Sequence, residues 1–174
     1  TIASGYTAHA EGLGTTALGN YSHAGGLSSL SDHYGEWSRS SIGTNAQYGI
    51  IDWYDITRDD TLTEIFLGDA SGERFLVGSE MMYRVRLTAI AVDPVSGNTK
   101  EWSGDALIKN VAGTTSLVGT AVMTSVNGDV ELATASITIT ADNTNDSLKV
   151  EVTGLAATTL NWYVKGDYIK ILLI

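Results

Sequence analysis

The chain has 174 residues, with 20 acidic against 10 basic side chains and a formal charge of −10 at neutral pH. That balance argues against a nucleic-acid partner, because a polyanion would be repelled. The absence of cysteine excludes disulfide staples and thiolate metal sites, and no apolar run approaches the roughly eighteen residues that a membrane span needs.

The N-terminal segment is a seven-residue repeat, with units Gly5–Glu11, Gly12–Leu18, Gly19–Gly25 and Gly26–Asp32. Its first slot holds Gly5, Gly12, Gly19 and Gly26. Its fourth holds Thr1, Ala8, Thr15, Ser22 and Ser29, and its sixth holds Ala3, Ala10, Ala17, Ala24, Ser31 and Ser38. A heptad coiled coil would need large apolar knobs at two of these slots, so small residues there exclude it. They predict a narrow solenoid of very short strands, with glycine at each corner and small side chains filling an interior too tight for larger ones. Such units bury a core only as a stacked array.

This stretch resembles the head domain of YadA-like trimeric autotransporter adhesins, a left-handed β-roll in which two repeats make one coil. The match covers residues 1–31, with a degraded fifth repeat at His33–Arg39. The run Ser22–Gly26 is also similar to repeats of phage tail proteins. The resemblance implies a β-roll over residues 1–40 and, because so thin a roll buries little, a homotrimer.

His9 and His23 share one repeat slot, fourteen residues apart. In a roll of that coil length their rings would stack about 4.8 Å apart, the inter-strand spacing. Imidazole is a good ligand for first-row metals, which makes these two the candidate metal ligands. The competing reading, a simple histidine ladder, is preferred, with no metal and no cofactor. His33 lies in the degraded repeat and adds little. Trp37, where the roll ends, is expected to plug it.

Composition changes between Arg39 and Gln47, which places a linker at 41–46 and a second domain at 47–174, rich in Val, Ile, Leu and Thr. The segment Met82–Ala91 alternates, with Tyr83, Val85, Leu87 and Ala89 on one face and Arg84, Arg86 and Thr88 on the other, as a half-buried strand does. Turns are expected at Gly68–Gly72 and at Ser96–Asn98 after the single proline, Pro94. Asn127-Gly128 between two alternating segments predicts a tight hairpin. The strands Ser147–Thr153, Thr158–Val164 and Asp167–Leu173 follow, with Gly154 and Gly166 in the turns between them. The expected fold is therefore all-β: a short roll followed by a jelly-roll-like β-sandwich tip. The apolar tail from Tyr168 to Ile174 would be an aggregation hazard as a free edge, so it should dock in a sheet or between subunits.

The blocks Thr63–Leu67, Trp102–Lys109, Ala112–Gly119, Thr140–Val150, Val152–Gly154 and Thr158–Trp162 resemble, in order, a C-terminal β-module of phage tail-fibre proteins. The resemblance covers residues 47–172 and implies a virion-surface location. It departs at Asn161, where an arginine would ordinarily precede the tryptophan.

Asp142–Asp146 has the oxygen-rich spacing of a calcium loop but lacks its central glycine and terminal glutamate, so it reads as a turn. Asp52, Asp55, Asp59 and Asp60 around Arg58 read as a solvated acidic loop. Two carboxylates could serve glycosidase chemistry, yet neither a Gly-x-Ser-x-Gly elbow nor a His-Glu-x-x-His motif occurs, and the expectation is of a non-enzyme. Trp53 and Trp162 fall on core faces. Tyr54, Trp102 and Tyr163 are the candidate receptor-binding aromatics, joined by the loop residues Asn98, Asp142 and Asn145. The function so indicated is a phage tail-fibre tip, at the virion tail, attaching to a bacterial surface glycan or protein by trivalent, non-covalent binding. The rivals are an adhesin head fragment from a bacterial surface, a capsule depolymerase and a purely structural trimerisation module. The chain reads as the C-terminal piece of a longer protein.

Overall fold

In the computed structural model, which describes residues 1–43 and 45–173, the chain is all-β. The leading segment winds through β1 (Ile2–Ala3), β2 (His9–Leu13), β3 (Thr16–Ala17), β4 (His23–Leu27), β5 (Leu30–Ser31) and β6 (Trp37–Ser40). Two parallel ladders result. In one, Ile2 pairs with Thr16 and Thr16 with Leu30; in the other, His9 pairs with His23 and His23 with Trp37. Each partner lies fourteen residues on, so two heptads make one coil. The interior is filled by Thr15, Ala17, Ser22, Ala24, Ser29, Ser31 and Ser38, all buried. The Ser31 and Ser38 hydroxyls bond each other at 2.6 Å, which satisfies two of the buried polar groups.

The first-slot glycines have a steric cause more than a conformational one. Only Gly12 (φ +105°) and Gly26 (φ +90°) are left-handed. At Gly5, Gly12, Gly19 and Gly26 alike, a Cβ would run into the backbone carbonyl of the next coil, at Gly19, Gly26, His33 and Ser40 respectively.

The chain then reverses into the long strand β7 (Ala46–Thr57), which pairs antiparallel with β6 (Trp37 opposite Ile50, Arg39 opposite Tyr48). The roll's sheet thus runs on into a second region. Next come β8 (Leu62–Leu67), β9 (Phe75–Leu76), β10 (Met81–Val92), β11 (Thr99–Val111), β12 (Thr114–Leu117), β13 (Val122–Gly128), β14 (Ser136–Asp142), β15 (Ser147–Thr153) and β16 (Leu160–Leu172). The large sheet runs β12-β11-β10-β16-β7-β6-β4-β2, with β13 on the other half of β11. A smaller layer of β14, β15, β8 and β9 faces it. Between the layers lies the core: Ile51, Trp53, Val85, Leu87, Trp162 and Val164 from the large sheet, and Ile65, Leu67, Leu148, Val150 and Val152 from the small one. Trp162 buries its indole and donates to Thr57 Oγ1 at 2.9 Å. The apolar tail is part of central strand β16, paired with β10 through Leu172 and with β7 through Ile171; Ile174 lies outside the described residues.

Two local expectations are corrected. Gly166 is not in a turn: β16 runs through it, and glycine is needed because a Cβ would press on the Trp53 ring at 3.0 Å and on Val85 at 3.1 Å. Asn127-Gly128 makes no hairpin. Neither residue has a positive φ, which a two-residue primed turn demands. They end β13, which pairs with β11, and the chain passes through a single 3-10 turn, Val130–Leu132, before β14. Lys100 caps that turn from the sheet, its ammonium donating to the carbonyls of Leu132, Ala133 and Ala135 at 2.8–3.0 Å and lying 5.0 Å from the Trp102 ring. Lys100→Met, which removes all three bonds while keeping the stem, should destabilise the chain by about 2 kcal/mol, read as a lowered urea midpoint with unchanged slope.

A candidate receptor-binding face

The large sheet has one face against the core and one outward, and alternation sends every second residue outward. Because the ladder is continuous from β2 to β11, the outward residues form rows that run from the roll onto the sandwich. One row reads His9, His23, Trp37, Ile50, Asp167, Arg86, Asp105. The next reads Glu11, Gly25, Arg39, Tyr48, Ile169, Arg84. Trp37 is 60% exposed, and Tyr48, Ile50, Ile169 and Ile171 are exposed beside it. An apolar patch of this kind marks a contact surface.

Ion pairs occupy most of the face's cations: Arg84 reaches Asp105 at 3.1 Å, Arg86 reaches it at 3.8 Å, and Lys165 holds Asp167 at 2.9 Å. Arg39 makes no ion pair among the described residues. It borders two hollows. One, about 420 Å³, is lined by Glu11, Gly12, His23, Gly25, Gly26, Trp37 and Arg39. The other, about 230 Å³, lies between Trp37, Arg39, Tyr48 and Ile50.

The residues singled out from sequence do not converge. Tyr54 and Tyr163 face each other directly across β7 and β16, on this outer face, with Ile90 the next in their row. Burial, and then the Asp52 carboxylate beside it, push the Tyr163 phenol above its ordinary pKa. Trp102 must be struck from the candidates, because it is 3% exposed and stacks on Trp162 with ring centres 5.3 Å apart. Asn98 sits in the β10–β11 turn, at one end of β11. Asp142 and Asn145 belong to the β14–β15 turn near the other end, where Asn143 accepts from the Thr115 amide, some 35 Å away along an eleven-residue stretch of strand. Asp142 is engaged within its own turn, accepting from the Thr144 and Asn145 amides and the Asn145 side chain, which is a sufficient reason for the Asx-rich composition.

His9 and His23 form the anticipated stack, ring centres 4.8 Å apart and 25° from parallel, with Glu11 within 3.8 Å of both. Parallel rings at stacking distance aim their lone pairs side by side and not at a common point, so they are a ladder and not a chelate. Trp37 does not plug the roll. It continues the ladder outside, 5.4 Å from His23.

What closes the roll is a cluster that composition alone passed over. His33 and Glu36 are both buried. Glu36 accepts from the Asp32 and His33 amides and from His33 Nδ1 at 2.9 Å, while its other oxygen accepts from the Tyr168 hydroxyl. His33 Nε2 donates to Leu76 O at 3.0 Å, and the ring lies flat on Phe75 at 4.7 Å. Burial pulls the imidazole pKa down, but the Glu36 charge and bond, with Asp32, carry it up to about 9. Burial likewise pulls Glu36 upward, and His33 reverses this to hold it below its ordinary value. Asp32, His33 and Glu36 are close enough to suggest a metal site. Both imidazole nitrogens face acceptors, however, so the ring is doubly protonated and has no lone pair for a metal. The sequence signal was there: His33 stands in the glycine slot and Glu36 in the small-residue slot of the repeat.

No family model and no curated protein matches the chain. Among solved structures, phage tailspikes are similar in part. The tailspike protein gp49 of Acinetobacter baumannii bacteriophage Fri1, described as a capsular polysaccharide depolymerase, aligns over 90% of this chain and 27% of its own, at 11% identity and a TM-score of 0.47. The tailspike of Acinetobacter phage vB_ApiP_P1 aligns over 90% of this chain and 37% of its own, at 13% identity and a TM-score of 0.26. The chain thus spans between a quarter and two fifths of the length of these neighbours. The expectation of a non-enzyme is corrected here and withdrawn, since one neighbour carries a depolymerase description. No helix among the described residues is long and apolar enough to cross a membrane.

Proposed function

We propose that this chain is part of a phage tail protein, a fibre or tailspike, and that it attaches the virion to a polysaccharide or protein of the bacterial surface. In this reading residues 1–40 are a YadA-like roll and residues 47–174 the tip. The observation that carries it is the outward row from His9 through His23 and Trp37 to Ile50, which runs without a break from repeat to sandwich. A stalk alone would need no exposed tryptophan, and an isolated tip would need no shared ladder. Exposed aromatic rings bind sugar faces and protein patches alike.

Three chains, side by side in a homotrimer, would multiply weak contacts to a repetitive receptor. Light scattering should then give about three times the 18.4 kDa of one chain, and a monomer at micromolar concentration would remove the avidity. The decisive experiment is saturable binding of the fluorescently labelled chain to a panel of bacteria. Binding to some strains and not others, competed by their isolated surface polysaccharide, supports the reading. Absence of binding across the panel overturns it. Release of oligosaccharides during the same incubation would place turnover in the chain as well.

A further inference from the structure

The Glu11–Gly25–Arg39 row has a gap at its centre. Gly25 has no positive φ, and a Cβ there would meet only ordinary neighbours, His23 Nε2 at 3.6 Å and Glu11 Oε1 at 3.7 Å. Neither backbone conformation nor close approach explains glycine at this position, in contrast to the corner glycines of the repeat. Gly25 is itself buried, beneath the Glu11 carboxylate and the His23 imidazole, and its missing side chain deepens the floor of the hollow that Glu11 and Arg39 border. These stand two strand spacings apart, about 9.5 Å at the backbone. His23 and Trp37 form one wall, and the hollow is about 420 Å³.

We propose that this hollow is a subsite for one uncharged pyranose unit of a surface polysaccharide; this rests on the reading of the outer face as receptor-binding. The side chains select the occupant. Arg39 only donates hydrogen bonds and ionised Glu11 only accepts them, so a ring carrying several hydroxyls, each both donor and acceptor, satisfies the pair. The C–H face of such a ring lies against the open indole. A hexuronate gains Arg39 but meets the Glu11 charge and the field of a chain of charge −10, and an amino sugar gains Glu11 but meets Arg39, whereas an uncharged ring meets neither repulsion.

Trp37 provides its own readout, because Trp53, Trp102 and Trp162 are all buried. The probe is acrylamide quenching of the whole chain, titrated with neutral hexose and N-acetylhexosamine oligosaccharides and, separately, with hexuronate oligomers. Saturable protection of Trp37 by a neutral oligosaccharide is expected, at least tenfold weaker in Gly25→Leu, which fills the floor of the hollow, and in Glu11→Ala, which removes a side chain that is 66% exposed. Protection by hexuronates equal to that by neutral sugars overturns the proposal, as does no protection by any neutral sugar, or wild-type affinity in both variants. Cell binding separates the two readings. Strain-selective binding retained in Gly25→Leu and Glu11→Ala sinks the subsite and leaves attachment standing, whereas a wild-type chain that binds no cells sinks attachment.

Discussion

Glu36→Ala is expected to lower the melting temperature by roughly 6–20 °C. Removing one partner of a buried pair typically destabilises by about 3–5 kcal/mol, because the other charge is left without compensation, and for a chain of this size each kcal/mol moves the midpoint by about 2–4 °C. Glu36 also receives two backbone amides and the Tyr168 hydroxyl, so the same change leaves several buried donors unmet. A shift under about 3 °C by circular dichroism would show that the joint between roll and sandwich does not depend on this carboxylate.

The pair also sets a pH window. His33 has a folded pKa raised from 6.5 to about 9, so its contribution is complete below the unfolded value and fades as pH rises from 6.5 through 9. Glu36 has a folded pKa lowered from 4.5, so its contribution is complete above the unfolded value and fades as pH falls below it. Stability should therefore peak between about pH 4.5 and 6.5 and fall toward pH 9. The Tyr168 phenol, raised by burial and by Glu36, extends the alkaline loss. In Glu36→Ala the alkaline slope should flatten, because His33 then loses the charge that raised its pKa. An unchanged slope would assign it to other groups.

The second large effect is at Gly19. A Cβ there would run into the carbonyl of His33, one coil on. The obstacle is backbone and cannot rotate aside, so Gly19→Ala should destabilise by about 3 kcal/mol, the upper end for overpacking. It forces the coil spacing open next to the His33 joint. Gly25→Ala, in the same repeat, is the control: its Cβ has ordinary space, and the midpoint should stay within about 2 °C or rise slightly as the unfolded chain loses freedom. Equal effects at the two positions would contradict the steric account of the repeat.

The roll was legible because its interior admits only small side chains, so volume constrains slots four and six in every coil. The sandwich strands were legible from alternation, most clearly at Tyr83, Val85, Leu87 and Ala89, all of which are buried. Gly166 and Asn127-Gly128 misled because a glycine that turns the chain and a glycine that makes room for a neighbour are the same letter. The neighbours that decide between them, Trp53 for Gly166 and Lys100 for Gly128, are distant in sequence. Trp37 and Trp102 exchanged roles for a related reason: both lie on strands, and only the layer placed against each strand determines which side is wet.

Taken alone, residue order determined the local matters: the seven-residue period with its small-residue slots, the all-β character and the alternation within strands, since side-chain volume and period-two alternation act over a few residues. The tertiary structure alone decided which outward residues share a surface. It joined Trp37 to Tyr48 and Ile50 by pairing β6 with β7, and it converted a faltering repeat into the His33–Glu36–Tyr168 joint, partners 132 residues apart. Contacts at that separation are set by packing and solvent exclusion across the whole chain: the broken repeat slots at His33 and Glu36 mark the place, but no short window of sequence names the partner.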